Sequence, residues 1–292
     1  MTIENLRAAY SEKRWADAWR EYTALREAGM ADAEAHLMGG RSARALGDLR
    51  RACWAFDLAI EAGPTGNVLG QLRFARGITF REAGMIGAAV EELKECIAGI
   101  TDYQSLAPVM MGAAWYNLGL ALRQAKRLTD AIAAYEHAVA HYRAEDLSTP
   151  LCMALHNLAW AACCSGDPDR AVEALAESGP LCNTDTLRWH QALTQAFVDS
   201  FGDTEDRRRA LETCETFGHD DELIPAALRS HAAWLAGSIA LCLGQLDAAE
   251  ALAKQAAHLA GLAKGENRTL HDASELLQSV RQMRLVSKPP GP

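Results

Sequence analysis

An alanine recurs along this chain at Ala18, Ala52, Ala89, Ala131, Ala171, Ala210 and Ala249, each copy preceded by a helix-forming stretch and a short turn. The intervals run 34, 37, 42, 40, 39 and 39 residues. Self-similarity at such a period predicts an array of helical hairpins, and the lengthening intervals predict longer helices or connections in the later units. Tyr22, Phe56, Leu93 and Tyr135 stand four positions after their alanines, and Leu25, Ala59, Cys96 and Ala138 follow three further on, so all share one helical face. A single hairpin cannot bury that face. Hairpins stacked on one another bury it in a continuous core built from neighbour interfaces. Small residues, Gly119 with Ala131 and Gly40 with Ala52, are expected where the two helices of a unit approach closely.

The clearest copy reads Trp115, Leu118, Gly119, Leu122, Ala131 and Tyr135, and a second reads Gly40, Gly47, Ala52, Phe56 and a terminal Pro64. This order of aromatic, Leu-Gly, bulky, small and aromatic residues resembles the tetratricopeptide repeat, and the likeness runs from end to end, weakest in the sixth unit, where Cys214 replaces the aromatic. The resemblance implies an all-α fold, a right-handed superhelical solenoid of about seven hairpins over 1–264. A capping helix over 265–287, with Leu270, Ala273, Leu277 and Val280 on its faces, and a disordered tail over 288–292 are expected to follow.

Turn chemistry agrees with these boundaries. Leu46-Gly47-Asp48, Ala83-Gly84-Met85 and Ser165-Gly166-Asp167-Pro168 fall where a first helix should stop and a second begin. Glycine ends helices at little cost, and Asp167 with Pro168 suits the opening of the next. Thr149-Pro150 is expected to repeat that device. Thr101–Pro108, Ser148–Pro150, Asn183–Thr186 and Gly218–Asp221 are the expected connections between units.

The net charge of −9 is uneven: residues 1–143 hold 17 acidic and 17 basic side chains, residues 144–292 hold 21 and 12. A surface that is neutral and then acidic argues against nucleic acid. No apolar run is long enough to cross a bilayer, and Met1 to Arg7 lacks the order of a signal peptide, so the chain reads as cytoplasmic and without a membrane partner. None of the eight cysteines forms a Cys-x-x-Cys pair, and they read as small hydrophobes in a reducing compartment. His137 and His141 stand one turn apart without an evident third ligand, so no metal and no cofactor is expected.

In tetratricopeptide proteins the first helix of each pair lines the concave face, so the resemblance nominates the residues beside the Leu-Gly signature as partner contacts. These are Arg41 and Arg44 in the second unit, Phe74 and Arg81 in the third, and Tyr116, Asn117, Leu120, Arg123 and Gln124 in the fourth. His156, Asn157 and Trp160 follow in the fifth and Trp234 in the seventh. Asn117 and Asn157 each precede the leucine of their unit; an amide offers donor and acceptor together and can grip the backbone of an extended peptide. Carboxylate-clamp modules and the pheromone receptors of Gram-positive bacteria use asparagines at matching places. Arg41, Arg44, Arg81 and Arg123 either receive the carboxylates of an acidic or carboxylate-terminated peptide or pair internally with Glu34 and Glu82. Trp160 and Tyr116 either clasp an apolar side chain or belong to the core.

The chain carries no phosphate-cradling glycine loop, no His-Glu-x-x-His, no Gly-x-Ser-x-Gly and no partnered cysteine nucleophile. It reads as a non-catalytic adaptor or sensor that binds a peptide or protein segment. The alternatives are a self-associating homo-oligomeric scaffold and the ligand-binding regulatory part of a signalling system with a separate effector.

Overall fold

The computed structural model describes residues 2–100, 107–217, 223–263 and 267–286. It is all-α, with no strand among the described residues. The helices are α1 (Ile3–Ser11), α2 (Trp15–Glu27), α3 (Ala33–Ala45), α4 (Leu49–Glu61), α5 (Gly66–Glu82), α6 (Ile86–Ile100), α7 (Ala107–Gln124) and α8 (Leu128–Ala144). They continue as α9 (Ser148–Cys164), α10 (Pro168–Ser178), α11 (Asp185–Asp199), α12 (Thr204–Glu215), α13 (Ala226–Cys242), α14 (Leu246–Leu262) and α15 (Asn267–Val286). The chain divides into two compact units, Met1–Ala154 and Leu155–Pro292.

All seven recurring alanines are fully buried, one in each even-numbered helix from α2 to α14. The residues four further on, Tyr22, Phe56, Leu93 and Tyr135, are equally enclosed, and Leu175, Cys214 and Ala253 continue the pattern. In the first unit each helix packs on the next from α1 to α8, and the odd-numbered helices also touch one another, α1 on α3, α3 on α5 and α5 on α7. In the second unit α10 to α14 pack in the same consecutive way and α11 touches α13. Each even-numbered helix therefore keys its alanine face into the core, while the odd-numbered helices stand side by side and share a face of their own.

Twelve residues before the recurring alanine, Gly40, Gly77 and Gly119 each meet first the large side chain sixteen residues on, whereas Gly237 meets Leu276, Leu252 and the backbone oxygen of Ala249. A Cβ on Gly119 would come within 2.6 Å of the Tyr135 ring, one on Gly77 within 2.8 Å of Leu93, and one on Gly40 would overlap Phe56. The large side chain lies flat on bare backbone, so the signature glycine and the bulky residue four after the alanine form one packing unit.

Gly47, Gly84 and Gly166 adopt positive φ at the predicted turns. Asp48 and Asp167 accept from the backbone N–H groups of Arg51 and Arg170 at 2.9 and 3.2 Å, capping α4 and α10, with Pro168 in the first turn. The same left-handed turn is made without glycine at Lys13, Lys126 and Asp146. The expected connection at Ser148–Pro150 is instead the first turn of α9, where the missing N–H of Pro150 costs no helical hydrogen bond. The actual link is 145–147. Thr184 caps α11 through Leu187, so that helix starts inside the expected connection Asn183–Thr186. Of the expected connection Thr101–Pro108, residues 101–106 lie outside the described residues, while Ala107 and Pro108 already open α7; the expected connection Gly218–Asp221 and the tail over 288–292 also lie outside the described residues. In α15, Ala273, Leu276 and Val280 are buried against α13 and α14, while His271, Glu275 and Arg281 face outward.

Gly119→Ala should lower stability by about 1–3 kcal/mol, because the added methyl overlaps the Tyr135 ring in a tightly packed core. Gly87→Ala, with open space around its Cβ in α6, should be neutral or stabilising by up to about 1 kcal/mol. Urea unfolding of the two variants checks this, and equal midpoints would show that the helix contact is looser than described.

Candidate functional site

In the first unit the shared face of α3, α5 and α7 is crossed by polar side chains. Arg41 on α3 donates to Gln71 Oε1 on α5 at 3.1 Å and approaches the Tyr10 hydroxyl at 3.4 Å. One turn along, Arg44 donates to Glu82 Oε1 at 3.1 Å, and Arg81 stands 3.9 Å from the same oxygen. Of the two acids expected to serve these arginines, Glu82 does so, whereas Glu34 pairs with Arg7 at 2.7 Å. Burial pushes the Arg81 guanidinium down from its ordinary value, opposed by Glu82 and reinforced by Arg123 on α7.

Around this polar strip, Tyr116 and Tyr135 approach ring to ring at 6.1 Å. Asn117 donates from Nδ2 to Ala113 O at 2.9 Å, within its own helix, which leaves its carbonyl oxygen and second N–H directed elsewhere. Phe74 packs against the Cys96 and Ala114 cluster, and Leu120, Arg123 and Gln124 are half-buried. The Gln124 carbonyl oxygen is buried without a hydrogen-bond partner among the described residues.

In the second unit Trp160 stacks on Phe197 of α11, with ring centroids 3.4 Å apart and planes 10° from parallel. His231 and Trp234 of α13 complete the group, 5.1 and 6.1 Å from Trp160. Phe197 is buried beneath, while Trp160, His231 and Trp234 keep part of their surface open. Asn157, one turn before Trp160, is likewise half-buried. His156 is instead buried and turned inward: its Nε2 lies 2.6 Å from Gln191 Oε1 on α11. That oxygen can only accept, so Nε2 carries the ring proton. The same oxygen takes the Ser178 hydroxyl at 2.6 Å, and Gln191 Nε2 donates to Leu175 O at 3.1 Å. Burial holds His156 down at about 4, with nearby His190 pushing the same way and Gln191 opposing; burial lowers His190 as well.

Twelve of the thirteen residues nominated from sequence are thus half-buried on odd-numbered helices, and His156 is enclosed. Sequence reasoning missed Gln191 and Phe197, both on α11. That helix belongs to the sixth unit, whose loose match to the repeat left its inner positions without a register. A glutamine within the Trp189-His190-Gln191 run of an amphipathic helix was the available signal.

The comparisons with known proteins agree with this architecture. Residues 110–179 match the family model described as tetratricopeptide repeat, a span that includes the Trp115 to Tyr135 copy. A tetratricopeptide repeat protein from Parabacteroides merdae ATCC 43184 superposes with a TM-score of 0.68 at 17% identity, covering 96% of this chain and 97% of that one. NprR in complex with its cognate peptide NprX superposes at 0.65 with 12% identity, covering 97% and 88%. The Rap protein complexed with competence and sporulation factor does so at 0.55 with 14% identity, covering 97% and 74%. No curated protein matches the sequence. The fold is that of a tetratricopeptide-repeat protein. No helix among the described residues is long and apolar enough to cross a membrane.

The buried histidine makes stability depend on pH. Its native value lies below its unfolded one, so between about pH 6.5 and 4 the unfolded chain binds the extra proton and stability falls with pH. The loss should reach about 3 kcal/mol at pH 4, being complete once the native ring also protonates. His156→Gln, which can donate to Gln191 without titrating, should flatten the curve, His190 supplying the residual slope. Urea midpoints of both proteins at pH 7 and 4.5 check this; parallel curves would remove His156 as the cause.

Proposed function

We propose that this chain is a non-catalytic peptide- or protein-binding repeat protein, and that the odd-numbered helices of each unit carry its contact surface. The observation that supports this most directly is the partly open aromatic group of Trp160, His231 and Trp234 in the second unit. The closest helix contacts of the first unit set a large residue on the even-numbered helix against a glycine on the odd. Trp160 and Trp234, on odd-numbered helices, stand outside that contact and stay half open, Trp234 also packing against the core of α13 to α15. Such rings supply wide apolar contact at little entropic cost, with a polar edge for hydrogen bonding.

Asn117 in the first unit and Asn157 in the second each act as a backbone grip for an extended segment held on its own unit. His156 takes a supporting part: through Gln191 it holds α9 and α11 in the spacing on which Trp160 and Phe197 depend. Arg41, Arg44, Arg81 and Arg123 give the first unit a preference for acidic or carboxylate-terminated segments. Two of the similar folds, NprR with NprX and the Rap protein with its factor, were solved with a bound partner, which agrees with this reading at the level of fold.

A peptide selected against the wild-type protein from a random displayed library provides the test, with binding measured by calorimetry. Asn117→Ala and Asn157→Ala should each weaken it by about 1–3 kcal/mol, since each leaves peptide backbone groups unpaired in a partly desolvated site. Trp234→Ala should weaken it at least as much, with thermal unfolding followed in parallel to separate lost contact from lost fold. Full-strength binding by all three variants would move the site off the odd-numbered helices.

A further inference from the structure

Glu82 sits where helix electrostatics disfavours it. It is the last residue of α5, at the negative end of the helix dipole, where a cation is the stabilising choice. What holds it there is charge from its neighbours: Arg44 of α3 donates to its Oε1, and Arg81 faces the same oxygen from 3.9 Å, too far for a hydrogen bond. One carboxylate oxygen thus answers two guanidinium groups, each of which presents a fork of donors suited to two oxygens.

Arg81 is the less satisfied of the pair. Its side chain is 18% exposed and makes no hydrogen bond among the described residues. The Nε atoms of Arg81 and Arg44 are both buried without an acceptor. Tyr116, Tyr135 and the charge of Arg123 are near enough to act on Arg81, and Arg123 repels it. A guanidinium withdrawn from water with so little compensation is costly unless a second anion arrives. Glu82 itself stays one-third exposed beside the turn at Ala83 and Gly84, so its side chain has an outward path.

We propose that Arg44 and Arg81 form an oxyanion-binding site and that Glu82 is its internal competitor, occupying the site until a ligand carboxylate or phosphate displaces it. The proposal deepens the peptide-binding reading by naming the group recognised in the first unit. It also adds a threshold: only a ligand that pairs both arginines at once outcompetes a tethered carboxylate that engages one well and the other poorly. No covalent step is involved; the carboxylate swings to solvent as the anion enters.

The test uses the full-length protein with two probes, inorganic pyrophosphate and an end-blocked triglutamate peptide, each titrated by calorimetry. Glu82→Gln should bind at least one probe about fivefold more tightly than wild type or better, the effect of removing one charge at about 4 Å even in water. The gain should vanish in Glu82→Gln/Arg81→Gln. Tighter binding of pyrophosphate alone supports a free phosphate-type ligand, and tighter binding of triglutamate supports a peptide carboxylate. Equal or weaker binding of both by Glu82→Gln would make Glu82 a structural ion pair and overturn the proposal. Should Glu82→Gln fold poorly, the rise in urea midpoint that pyrophosphate gives the wild type should be absent in Arg81→Gln; an unchanged rise overturns the proposal equally. Pyrophosphate is no peptide, so its result stands apart from the displayed-library test: either can fail alone.

Discussion

The contact between a bare glycine backbone on one helix and a bulky side chain on the next is what the rest of the structure depends on. Gly119 under Tyr135, Gly77 under Leu93 and Gly40 under Phe56 repeat it through the first unit. The recurring alanine one turn before each bulky residue is fully buried, because nothing larger fits once the helices have closed to that distance. Interiors at crystal-like density transmit such constraints without slack. Close approach on one side of each odd-numbered helix also decides what its other side does. Most of the residues that reach toward the next odd-numbered helix are only half-buried, though Phe74 and Trp234 also pack against the core.

Those residues are polar or aromatic, and half-burial gives them their chemistry. Arg41 and Arg44 reach from α3 to α5, so guanidinium groups join these helices beside the apolar cluster that Leu37 and Ala43 share with Leu72 and Ala75. Arg81 is drawn far enough from water for its charge to become expensive, and the nearest relief is a carboxylate already shared with Arg44. In the second unit the same position in the architecture is aromatic, with Trp160 lying flat on Phe197 and a histidine–glutamine–serine network beneath. Burial keeps His156 neutral, so it serves as a hydrogen-bond donor of fixed direction. The two units thus present different chemistry from equivalent places in one repeat.

Much of the packing was legible in the chain because a period of about 39 residues leaves its mark on composition. The alanines, the large residues four after them, and the Gly47, Gly84 and Gly166 turns all fall where the spacing puts them. Errors cluster where local chemistry had two readings. Lys126 makes the left-handed turn that glycine makes elsewhere, with Arg127 N–H closing back on Leu122 O at 2.9 Å, and an apolar or charged side chain gives no hint of positive φ. Pro150 reads equally well as a break between helices or as a first-turn proline, and α9 uses it as the second.

For the candidate site, sequence determined on which helices the nominated residues stand and of which types they are, since the signature orients each odd-numbered helix. Arg44, Arg81, Asn117 and Trp160 are found half-buried for that reason. Partnership was decided only by tertiary structure. Glu34 and Glu82 were equal partners for the arginines on the page, yet one turned to Arg7 and the other to Arg44. His156 and Asn157 are chain neighbours, but a step of about 100° around the helix buries the first against Gln191 and leaves the second half open. Gln191 had no readable register because its unit departs from the pattern. Spacing along a helix fixes the direction of a side chain; which group waits there depends on how closely the neighbouring helix can approach.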